Sequence, residues 1–159
     1  MENLKQVDES FMKMALEEAK KAFECHEVPV GAVLVKEGVV LARAYNQVEF
    51  LQDASAHAEL LCLKQASLIL NNWRLVGCTL YTTLEPCSMC LGAILLARVE
   101  RLVWGAPDRR HGACGSLVNL LSIKHPTHHL KGEGNILEES SSRLLKEFFQ
   151  LQRKLHARK

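Results

Sequence analysis

The chain has 159 residues, a length for one domain and short for two. With 48% hydrophobic and 24% charged residues, it has enough apolar side chain to offset the entropy of ordering, which excludes a disordered chain. The net charge of +2 hides an asymmetry: the first hundred residues are acidic on balance and the last third is basic, as a polyanion partner or a solvated tail would require. No apolar run approaches the roughly 18 residues of a membrane-spanning helix. An N-terminus mixing acids, bases and hydrophobes fits neither a secretory signal nor a transit peptide, so a cytoplasmic protein is expected. In a reducing compartment the six cysteines are free thiols, core fillers or metal ligands rather than a disulfide framework.

Phe11, Met14, Ala15, Ala19, Ala22 and Phe23 recur at helical spacing, which predicts an amphipathic helix over about 8–24. Residues 28–35 read as a buried strand, 36–38 as a turn and 39–45 as a second strand, together a hairpin. A helix follows from Ser55 or Ala56 to about 70, then a short strand over 78–84. Pro86 suits the first position of a helix running to about 98. A fourth strand covers 99–105. Residues 106–135 are rich in Gly, Pro and His and read as loop, with a short helix at 116–122 and a fifth strand near Leu130. The last helix covers about 137–157. Trp73 and Trp104 read as packing residues, and Cys25, Cys62, Cys78 and Cys114 as unpaired thiols. His125, His128 and His129 fall in an exposed loop. Residues 1–159 thus form one domain of helices packed on a central sheet.

Two short segments carry chemistry: His57-Ala58-Glu59 and Pro86-Cys87-Ser88-Met89-Cys90. Cys87 and Cys90 lie three apart at a helix start, so their thiols point the same way, and a helix N-terminus favours the metal-binding thiolate. His57 supplies a third ligand of the right kind for zinc. Structural zinc usually has four protein ligands, whereas catalytic zinc has three and a water. No second Cys-x-x-Cys or His-x-x-x-His closes the shell, so the count favours an open site. Glu59 can then move the proton of an activated water. Positions two apart do not share a helix face, so this works only if His57 sits in an irregular first turn or Glu59 approaches from the side.

His-Ala-Glu followed by Pro-Cys-Ser-Met-Cys resembles the signature of the zinc-dependent nucleobase and nucleoside deaminases of the cytidine/deoxycytidylate superfamily. VPVGAVLV (28–35), AYNQ (44–47), AHAEL (56–60), TLEPCSMCLGAILLARVERLVWGAPD (83–108) and GACGSLVNLL (112–121) narrow the resemblance to the bacterial tRNA-specific adenosine deaminases, over roughly residues 8–157. The resemblance implies a three-layer α/β/α sandwich around a mixed five-stranded sheet. It implies hydrolytic deamination of the wobble adenosine of an arginine tRNA anticodon loop to inosine. One zinc per subunit would be held by His57, Cys87 and Cys90, with Glu59 as the catalytic proton carrier. It implies that Asn46 hydrogen-bonds the target nucleotide and that Val28, Pro29 and Val30 wall the purine. Asp108 and Arg110 would lie near the tRNA backbone and Phe149 would support a base. Arg153, Lys154, Arg158 and Lys159 meet phosphate or solvate the tail. The family is a homodimer. No membrane partner and no nicotinamide or flavin cofactor is expected.

Two departures stand out. Asp53-Ala54-Ser55 replaces the family's Asp-Pro-Thr, and Arg110 replaces a lysine. The alternatives are a free-base or nucleotide deaminase acting on guanine or deoxycytidylate, and an RNA-binding module with structural zinc.

Overall fold

The computed structural model describes residues 2–158; Lys159, one of the tail cations, lies outside them. The first helix, α1 (Leu4–Glu24), starts earlier than its apolar periodicity predicts. A capping box is the cause. The Asn3 side chain accepts the Gln6 N–H at 2.9 Å and the Gln6 side chain accepts the Asn3 N–H at 3.0 Å, satisfying two free donors of the first turn. Strands β1 (Gly31–Lys36) and β2 (Val39–Tyr45) form the expected hairpin through Glu37 and Gly38, both at positive φ (51° and 76°). A short helix that the sequence does not announce, α2 (Val48–Leu51), follows. Then come α3 (Ala58–Leu70), β3 (Cys78–Leu84), α4 (Ser88–Leu96), β4 (Arg101–Ala106), a 3-10 turn (Leu120–Ser122), β5 (Lys131–Glu133) and α5 (Glu138–Ala157).

Among the described residues the five strands form one mixed sheet in the order β2-β1-β3-β4-β5. β1 is antiparallel to β2 and β3, whereas β3, β4 and β5 run parallel. Alternation along β1 shows how the layers form. Ala32 and Leu34 face Ala58, Cys62, Ala66, Leu91 and Ile94 of α3 and α4. Val33 and Val35 face Met12 and Ala15 of α1, beside Tyr81 and Val103. Helices α3 and α4 therefore cover one face and α1 and α5 the other, as a three-layer sandwich requires.

Several boundaries differ from the sequence expectation. Strand β1 begins at Gly31, because the Val30 N–H donates to the Val28 carbonyl at 2.8 Å and turns the chain; Val28 and Val30 then line the cavity described below. Helix α3 begins at Ala58 rather than at 55 or 56: the Asp53 carboxylate accepts the Ser55 N–H and hydroxyl and holds that stretch in a turn. Pro86 is not in the helix it was expected to open; Cys87 is the cap residue and Ser88 the first helical one. Trp104 packs against Gly132 and Gly134, whereas Trp73 is 53% exposed, with the Arg74 guanidinium 4.2 Å from its ring.

Candidate metal centre

His57 caps α3 and Cys87 caps α4, both on extended backbone. The cap position lies outside the regular helix, so His57 and Glu59 need not share a face. This is the irregular first turn that the spacing demands. Cys90, three residues after Cys87, turns its sulfur to the same place. Cys87 Sγ lies 3.6 Å and Cys90 Sγ 3.4 Å from His57 Nδ1, and the three donor atoms lie within 4.8 Å of one another. A tetrahedral zinc with bonds of about 2.3 Å to sulfur and about 2.0 Å to nitrogen puts sulfur and nitrogen about 3.5 Å apart, so the donor set fits. Among the described residues no other group of three His, Cys, Asp or Glu side chains is so disposed, and no fourth protein donor joins this one.

The electrostatics agree with a cation site. Hydrogen bonding from the Cys90 thiol, and then from the His57 ring, holds the Cys87 thiol down to about 3 against the effect of burial. Cys90 is pushed up by that same contact and by burial, and His57 is raised by its bond to Cys87. The two sulfurs share one proton between them, and a positive ion placed there would favour both as thiolates. Glu59 is 4% exposed, and its burial raises the carboxyl above the ordinary range.

His57, Glu59 and Cys87 line a cavity of about 1000 Å³, with Cys90 buried behind them. Val28 and Val30 give it an apolar side. Asn46, 7% exposed, donates its Nδ2–H to the Val28 carbonyl at 3.3 Å, and its Oδ1 has no hydrogen-bond partner among the described residues. A buried acceptor without a donor is costly and points to a ligand that supplies one. Asp108 and half-exposed Phe149 also line the cavity, whereas buried Pro29 and exposed Arg110 do not. The Asp108 side chain accepts the amides of Arg110 and His111.

Sequence reasoning missed Glu27, Glu85, Ser88, His111, Gln152 and His156, which also line the cavity. For the two acids a signal was present: each is a charge set directly beside a run of buried residues. His128 bonds the distant Val99 carbonyl at 2.6 Å and His125 bonds Thr127; both are half-buried rather than exposed, whereas His129 is exposed.

The chain matches the family model described as MafB19-like deaminase over residues 6–153. It is 50% identical to the tRNA-specific adenosine deaminase of Aquifex aeolicus (strain VF5), over 89% of this chain and 93% of that one. It is 49% identical to the chloroplastic tRNA(adenine(34)) deaminase of Arabidopsis thaliana over 91% of this chain, which spans only 12% of that relative's length. A solved structure from work on A-to-I editing by tRNA:A34 deaminases at the wobble position of transfer RNA superposes with a TM-score of 0.82. It shares 43% identity, and the match covers 86% of this chain and 99% of that one.

Proposed function

The chain belongs to the deaminase family, among the tRNA-specific adenosine deaminases, and on that premise we propose that it converts adenosine 34 of a tRNA anticodon loop to inosine by hydrolysis, releasing ammonia. The observation that carries this reading is the His57, Cys87 and Cys90 donor set, whose His57 and Cys87 open with the buried carboxyl of Glu59 on one cavity with the unmatched acceptor of Asn46. Held by those three ligands, zinc would supply the Lewis acidity that makes water nucleophilic near neutral pH. Glu59 takes the first proton of the attacking water and delivers it to the ring nitrogen beside the amino carbon, then takes the second from the added hydroxyl and delivers it to the departing amine as the carbonyl forms and the C–N bond breaks. Burial suits this task, because it brings the two protonation states of the carboxyl closer in energy.

Val28 and Val30 pack against the purine, and Asn46 Oδ1 accepts a donor of the target nucleotide. A single-stranded loop is read by splayed bases on aromatic faces and by cations on phosphate. Phe149 supplies such a face, Asp108 fixes the loop beside it, and Arg110, Arg153, Lys154 and Arg158 supply charge. We extend the reading to one domain over residues 1–159, to an arginine tRNA as substrate, to one zinc per subunit and to a cytoplasmic location. A homodimer belongs to it too, supported by the exposed apolar side chains Phe50, Leu68, Ile69, Met89 and Leu96. No described helix is long and apolar enough to cross a membrane.

The test incubates purified protein with anticodon stem-loops and with free guanine and deoxycytidylate, and reads products by mass. The expected product is inosine in the stem-loop alone. Conversion of a free base or nucleotide instead would replace the RNA substrate, and tight stem-loop binding with every adenosine intact would make the protein a binding module.

A further inference from the structure

We infer that Glu85 is a positioning residue that fixes the loop of residues 107–118 beside the cavity and thereby sets how the RNA substrate is held. The inference rests on the deaminase reading above. Glu85 stands between the end of β3 and Pro86, and it is 3% exposed. A carboxylate so buried needs cations or several hydrogen-bond donors. No cation pairs with it among the described residues. It has four donors instead, all from one loop. Oε1 accepts the Asp108 N–H at 3.3 Å and the Ser116 hydroxyl. Oε2 accepts the N–H groups of Cys114 at 3.0 Å and Ser116 at 3.2 Å.

That loop has no strand ladder of its own, only isolated bridges from Gly112 to Cys87 and from Cys114 to Asn119. The carboxylate stands in for the ladder by gathering the loop's two sides onto one point. Gly112 is at the centre because a side chain there would fall on the carboxylate and on the Asp108 carbonyl. The Ala113 N–H donates to the Pro86 carbonyl at 2.8 Å, which registers the loop on the segment that presents Cys87. Asp108 and His111, carried by this loop, both line the cavity. His57, Glu59 and Cys90 are placed by α3 and α4, which pack mainly on the sheet; of this loop only Ala113 and Cys114 join their core. Releasing Glu85 therefore moves the wall that meets RNA more than it moves the reacting groups.

Glu85→Gln tests this. Its amide oxygen can keep the Cys114 and Ser116 N–H groups, and the Ser116 hydroxyl can reverse, but its NH2 faces the Asp108 N–H. Wild type and variant are compared for zinc content, melting, amide hydrogen exchange and stem-loop kinetics. Zinc content and melting should stay near wild type and exchange at Asp108 should rise. KM for the stem-loop should rise about tenfold while kcat stays within about threefold. Unchanged exchange, an unchanged KM, or a loss confined to kcat overturns the inference. If Glu85→Gln does not fold, Ser116→Ala takes its place, with a raised KM supporting the inference and an unchanged one sinking it. A wild-type protein that binds the stem-loop yet makes no inosine defeats the deaminase reading alone; the exchange data and the stem-loop Kd of the variant then decide the role of Glu85.

Discussion

Glu59 and the three donors beside it are set by local chemistry that repeats at two helix starts. In each case the cap residue is a potential ligand, and the free N–H groups of the first turn add positive potential where a thiolate or carboxylate sits. The roles nevertheless separate. His57 and the two cysteines converge on one point, whereas Glu59 lies next to that point with its own burial and its own proton affinity. Glu59→Ala should therefore keep zinc, measured by elemental analysis, and keep the melting profile. Inosine formation should fall by about 10²–10⁴-fold, the range of a positioned acid–base group. Loss of zinc in that variant would make Glu59 part of the metal shell instead. The site motifs were legible in the sequence because ligand type and spacing are chemical facts of the chain. The burial of the loop acids Glu27 and Glu85 was hinted at by the apolar runs beside them, but their roles were not legible, because their partners lie about twenty to thirty residues away, in segments without periodic pattern.

At the level of elements, the cavity wall depends on how α1, β1 and α2 meet. Glu27, 1% exposed, accepts the N–H groups of Glu49 and Phe50 at 2.9 Å each and so caps α2 from a distant segment. This explains why a four-residue helix with no periodic signal forms at all: its free donors are met from outside. Gly31 plays the complementary part. A Cβ there would fall on the Ala15 carbonyl and the Ala19 nitrogen, so α1 can approach the sheet only because β1 opens with glycine. The Gly31 N–H donates to the Thr83 hydroxyl at 3.1 Å, which ties the same point to β3. Gly31→Ala should lower stability by about 1–3 kcal/mol through overpacking, read as a lower urea midpoint at unchanged slope. A midpoint equal to wild type would show that α1 can shift away without loss. The long helices and the hairpin were legible from periodicity and turn residues; α2 and the true start of α3 were set by side-chain contacts that pattern does not show.

Across the whole molecule, a buried polar network joins α1 to the parallel half of the sheet. The Asp8 carboxylate, 1% exposed, accepts two guanidinium N–H groups of Arg101 at 2.6 Å each and the Tyr81 hydroxyl at 2.8 Å, and Arg101 also reaches Glu133 of β5. Burial, and then the contact with Asp8, raises the Tyr81 phenol above its ordinary range. Such a raised group contributes stability in full below the unfolded value of about 10, and loses it as pH climbs toward the folded value, because the unfolded chain releases the proton first. Stability should therefore fall as pH rises above about 10, and Tyr81→Phe should fall less steeply over the same window, measured by urea unfolding at stepped pH. Equal slopes in the two proteins would remove Tyr81 as the cause. The sequence by itself determined the alternating elements, the two chemical motifs and the basic last third, since each is written in spacing and composition. Only the tertiary structure decided that Asp8, Glu27 and Glu85 are buried and bonded, that Asn46 keeps an acceptor open, and that the two helix starts meet at one point. Those outcomes depend on which distant segments touch, and a buried charge is stable only where the fold brings its partners to it.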